Sequence, residues 1–142
     1  VPPSIISETV KNQAVKLNAA SDVVMIRQAV RALAVEIGMN LVDQTKIITA
    51  ASELARNAVI HGGGGDATLE IVRDAANRLG LRLSFEDRGP GIADIQRAMT
   101  DGYTTGTGLG LGLGGARRLS SEFHIQSAPE QGTKVTILKW KG

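Results

Sequence analysis

Apolar residues recur at Ile26, Val30, Leu33 and Ile37, three or four positions apart, and Gly38 ends the run. This spacing predicts an amphipathic helix that opens at Asp22 behind an N-cap at Ser21 and closes on a C-terminal glycine. The same period returns at Ile47, Ile48, Ala51, Leu54, Ala55, Ala58 and Val59, predicting a second helix over residues 43–61. His61 falls at its end, where a histidine serves as a C-terminal cap. The four glycines at 62–65 stop that helix, since each costs about 1 kcal/mol relative to alanine in a helix interior.

Elsewhere the pattern is that of strands. Residues 10–17 compose a short first strand, and "TLEIVR" and "GLRLSFED" flank a polar connection at 75–78, predicting an antiparallel hairpin. "ADIQRAM" suggests a short helix, and "LGGARRLSSEF" another that begins inside a glycine-rich run. "FHIQSA" and "TKVTILKW" form a second hairpin, turning through "PEQG". Helices mixed with adjacent antiparallel strands predict a two-layer α/β (α+β) sandwich: one mixed, mostly antiparallel sheet with helices on one face.

The 142 residues suit a single domain with its own core, and with four aromatic residues that core is built from Ile, Leu, Val and Ala. Cysteine is absent, which removes disulfides, zinc-thiolate sites and a cysteine nucleophile. A net charge of +2 demands no nucleic-acid partner. No apolar run approaches the length of a membrane span and the start "VPPSIISETVK" has no signal-peptide core, so a cytoplasmic protein without membrane attachment is expected.

Four short segments carry candidate chemistry. In "DGYTTGTGLGLGLGGARR" no lysine stands where a P-loop requires one, and the match to G-x-G-x-x-G at Gly110, Gly112 and Gly115 lacks the preceding strand of a dinucleotide fold. Leucines interleave the glycines, so the run is no plain linker. It suits either a loop whose backbone N–H groups approach an anion or tight backbone packing. On the second helix Glu53 and Asn57 are four residues apart and share a face. The pair can bind Mg²⁺ through oxygen, place a carboxylate beside a hydroxyl to be deprotonated, or simply form a polar surface. In "FEDRGPGI", Asp87 ends a strand where it can accept from an amino group, and Gly89 and Gly91 let a flat ring approach the backbone; a strand-ending turn uses the same residues. "EQGTKVTI" by itself is a hairpin turn leading into Thr133.

In this order the four segments resemble the Bergerat-fold (GHKL) ATP-binding superfamily of gyrase, Hsp90, histidine kinases and MutL. Its E-x-x-x-N box matches Glu53 and Asn57, its D-x-G-x-G box Asp87, Gly89 and Gly91, and its second glycine box Gly106, Thr107, Gly108, Leu109, Gly110 and Leu111; the final G-T pair matches Gly132 and Thr133. The phrasing over about residues 14–141, with no dimerisation helix and a short lid, is similar to the stressosome switch serine/threonine kinases and their relatives, the anti-sigma-factor serine kinases. The resemblance implies ATP and Mg²⁺ as cofactors. Asp87 would hold the adenine amino group, with Thr133 assisting through water, and Gly91 would admit the base. Asn57 would hold Mg²⁺ against the phosphates, the backbone of 108–112 (Gly108 to Gly112) would cap them, and Glu53 would be the general base on a protein serine or threonine. Implied partners are STAS-domain scaffold proteins, phosphorylated on Ser or Thr, and a PP2C-type phosphatase; the alternative is sequestration of a sigma factor, or a nucleotide-gated module without transfer. The lid contains no lysine or arginine to meet the γ-phosphate, which leaves Arg56, Arg117 and Arg118 as candidates.

Overall fold

The computed structural model describes residues 6–92, 95–99 and 112–142. In chain order these form β1 (Ile6–Leu17), α1 (Ala20–Glu36), α2 (Leu41–Ile60), β2 (Gly65–Asp74), β3 (Leu79–Asp87), α3 (Ile95–Ala98), α4 (Gly112–Arg118), β4 (Glu122–Ser127) and β5 (Thr133–Trp140). The strands make one sheet in the order β1-β2-β3-β5-β4, and every pairing among the described strands is antiparallel. The parallel component expected of a mixed sheet is therefore not found among them. Helices α1 and α2 pack on each other and on one face, and α4 packs against α2.

The helix ends show how local chemistry sets these boundaries. The start of α1 corrects the expected cap: Ala19, not Ser21, is the N-cap. Its work is done by the carboxylate of Asp22, which accepts from the backbone N–H of Asn18 at 2.7 Å and of Ala19 at 3.0 Å. A carboxylate in the first turn satisfies free donors and the helix dipole together, which a serine side chain does less well. At the other end Gly38 has φ +80°, and the N–H groups of Gly38 and Met39 close back on the carbonyls of Val35 and Ala34. That is a Schellman ending, and its left-handed residue favours glycine. Helix α2 begins two residues earlier than expected, because the Asn40 side chain accepts from the N–H of Asp43 at 2.8 Å and caps the extra turn. His61 is its C-cap residue, as expected.

Strand register arranges the core in rows. One row crosses all five strands as Gln13, Leu69, Leu83, Ile137 and Phe123; the next runs Val15, Ala67, Phe85, Val135 and Ile125. Leu69, Leu83 and Ile137 are completely buried beneath Ile26, Val30, Ile47 and Leu54 of the helices. Burying each such side chain stabilises by about 1.5–3 kcal/mol. The opposite face is largely polar: Arg82 grips Glu70 with two hydrogen bonds of 2.8 and 3.0 Å, while a small cluster of Val72, Leu138 and Trp140 closes one end under Arg78. Among the described residues no helix is long and apolar enough to cross a membrane.

Candidate active site

The row beyond Val15–Ala67–Phe85–Val135–Ile125 reads Leu17, Gly65, Asp87, Thr133 and Ser127. The helix-facing side of the sheet thus changes from apolar to polar in a single step of two residues, at the end beside the C-terminus of α2. Asp87 and Thr133 are cross-strand partners, and residues directly opposite on antiparallel strands hold their side chains side by side.

Hydroxyl chemistry fixes what this row offers a ligand. The Ser127 Oγ accepts the Ile92 N–H at 2.8 Å, donates to the Gly132 carbonyl at 3.0 Å, and lies 2.8 Å from the Thr133 Oγ1. A hydroxyl has one proton. With Ser127 spending its proton on Gly132, the Thr133 hydroxyl is the donor to Ser127, and only Thr133 lone pairs remain for another molecule. The Asp87 Oδ1 accepts the Gly89 N–H at 2.9 Å, which orients a half-buried carboxylate whose remaining capacity is also as an acceptor. Two adjacent acceptors suit an amino group. Ser127 has no place in the sequence reading, although its pairing with Thr133 follows from the five-residue turn between them.

Glycines set the spacing around Asp87. Gly62, just past α2, lies so close to the Asp87 side chain that a Cβ would collide with its carboxylate, and a Cβ on Gly89 would come within 2.6 Å of the Gly62 Cα. Gly91 has φ +75°, and a Cβ there would run into the Ala128 carbonyl oxygen. Its backbone conformation and packing therefore already require glycine, independently of any ring approaching it.

The remaining candidate side chains stand on α2. Glu53 is only 6 % exposed, the one buried charged side chain among the described residues, so the polar-surface reading of this face is wrong for Glu53. Asn57, one turn on, is half-buried, and its carbonyl accepts the N–H groups of His61 and Gly62. The Arg56 Nη1 lies 3.8 Å from the Glu53 Oε1 and is buried without a hydrogen-bond partner. Gly112 opens α4, where the buried residues Leu113, Gly114, Gly115 and Ala116 approach α2. Gly106, Thr107, Gly108, Leu109, Gly110 and Leu111 lie outside the described residues. Arg117 and Arg118 are exposed in the last turn of α4. Asp87 and Thr133 thus offer acceptors for an amino group at one end of the sheet, and α2 carries a buried carboxylate at Glu53.

Residues 42–141 match the family of histidine kinase-, DNA gyrase B- and HSP90-like ATPases, and the chain belongs to that ATP-binding family. Within it the chain is a homologue of the serine/threonine-protein kinase RsbT of Bacillus subtilis (strain 168), 44 % identical over 126 residues that cover 89 % of this chain and 94 % of that protein. It is 30 % identical to the anti-sigma F factor of Clostridium novyi (strain NT) over 118 residues, 80 % of this chain and 82 % of that protein. The fold is that seen in a crystal structure of RsbU and RsbW domains from Mycobacterium tuberculosis, with a TM-score of 0.62 at 24 % identity; the match covers 92 % of this chain and 32 % of that longer one.

Proposed function

We propose that this protein transfers phosphate from ATP to a serine or threonine of a STAS-domain scaffold protein, with Glu53 as general base. The observation that carries this reading is the burial of Glu53 on α2, one turn before Asn57, in a homologue of a serine/threonine-protein kinase. A carboxylate is taken out of water only where something compensates, and a buried carboxylate beside an incoming hydroxyl is placed to take its proton. ATP supplies the transferable phosphoryl group. Asp87 accepts from the amino group of its base, with Thr133 assisting through water. Asn57 would hold Mg²⁺ through its side-chain oxygen, and the ion would offset the negative charge of the phosphates. Glu53 takes the proton of the acceptor hydroxyl as the hydroxyl oxygen bonds to the γ-phosphorus and the bond from that phosphorus to its bridging oxygen breaks, releasing ADP. Phosphorylation weakens the complex with the scaffold, and the freed kinase binds and activates a PP2C-type phosphatase.

The test is incubation with [γ-³²P]ATP, Mg²⁺ and a purified STAS-domain protein. Label should pass to the partner, and Glu53→Ala should abolish labelling while ATP still binds; full labelling by that variant would refute the base assignment. The identity with an anti-sigma F factor favours a second reading, sequestration of a sigma factor. Nucleotide-dependent capture of a purified sigma factor, without labelling of a STAS-domain protein, would select it.

A further inference from the structure

Burying the Glu53 carboxylate is costly unless its charge is balanced, and the described residue that balances it is Arg56, one turn along the same helix. The contact is unfinished. At 3.8 Å it is an ion pair but too long for a hydrogen bond, and the Arg56 Nη1 that makes it is buried and donates to nothing. A cation held on one side of a buried carboxylate attracts it toward that side, so the pair biases the direction of the carboxylate as well as balancing its charge. Arg117 and Arg118 are exposed in the last turn of α4. The Arg56 side chain is itself 32 % exposed, so one end reaches solvent while the buried nitrogen faces the carboxylate.

We propose that Arg56 is the positioning residue of Glu53: its guanidinium holds the carboxylate in the direction from which the acceptor hydroxyl is deprotonated. This rests on Glu53 being the base. It assigns Arg56 to the carboxylate rather than to the γ-phosphate, because the buried nitrogen lies beside Glu53, where attraction between opposite charges is least screened.

The experiment compares wild type, R56Q, R56K, E53Q and E53Q/R56Q in three measurements: calorimetric binding of ATP and ADP, transfer to a STAS-domain protein, and thermal unfolding. R56Q should bind both nucleotides as wild type does and show an unchanged KM, yet have a kcat lower by roughly 10- to 100-fold, the size of effect a misplaced reacting group produces. R56K, which keeps the charge without the fork, should recover part of the rate. In unfolding, R56Q should melt below wild type, and E53Q/R56Q should regain that loss, since the damage in R56Q is a buried carboxylate left alone. Three results would overturn the inference: R56Q transferring at the wild-type rate, R56Q losing affinity for ATP but not ADP, or strictly additive melting losses. E53Q transferring as well as wild type sinks the base reading and this inference with it. R56Q at full rate beside an inactive E53Q sinks this inference alone.

Discussion

Asp87 and Thr133 face each other across β3 and β5 at the end of the sheet's helix-facing side, and both present lone pairs. Replacing Asp87 by Asn keeps shape and size but removes the charge and allows N–H donors where an acceptor is needed. Asp87→Asn should weaken ATP binding by about 10- to 100-fold, the cost of losing a charge-assisted hydrogen bond of about 1.5–3 kcal/mol. Calorimetry on a variant with unchanged circular dichroism checks this, and unaltered affinity would remove the foundation of the nucleotide pocket.

Ser127 controls the direction of the Thr133 proton. In Ser127→Ala, Thr133 loses its acceptor and is free to donate, so discrimination between an amino purine and an oxo purine should fall. The ratio of ATP to GTP affinity should drop by about tenfold, the worth of one misdirected hydrogen bond. Ser127→Thr, which keeps the hydroxyl, should retain the ratio. A loss of both affinities in proportion would show that Ser127 supports the fold only.

Gly91→Ala should lower stability by about 2 kcal/mol or more, since it combines left-handed backbone strain with a collision at the Ala128 carbonyl. Urea unfolding at neutral pH measures it, and a change under 0.5 kcal/mol would contradict the packing described.

The acid limb of stability should carry the signature of Asp22. The backbone N–H of Asn18, and then that of Ala19, hold its carboxyl below the usual carboxylate range, so the folded state favours the ionised form. A depressed folded-state pKa contributes stability that is present above the unfolded value of about 3.9 and lost as pH falls through the folded one. The stability difference between wild type and Asp22→Asn should therefore be constant near neutrality and shrink progressively below about pH 4. A difference that stays constant down to pH 2 would rule this out.

The repeating parts of the molecule were legible in the sequence. The 3.6-residue period identified α1 and α2 through the residues they bury, and both hairpins formed where turn chemistry separates the strands. Boundaries were less so. Asn40 extends α2 and Asp22 replaces a serine cap because capping depends on which side chain reaches which N–H, which periodicity does not encode. Within the site, Glu53, Asn57 and Asp87 stood out by spacing and residue type. Ser127 did not, because its importance lies in where its single proton goes. The burial of Glu53 was likewise hidden: a charged residue opposite an apolar stripe reads as solvated, and only the packed fold shows it buried.

The contact of Gly62 with Gly89 joins the end of the helix that carries Glu53 to the turn just past Asp87, backbone against backbone, with no side chain in between. The gap between the two is consequently gauged by peptide, whose dimensions do not vary, and not by rotamers, which do. Interlocking main chain acts here as a caliper with its jaws already set. A single methyl group at residue 62 or 89 would force those jaws apart and so change the span of the molecule they can hold.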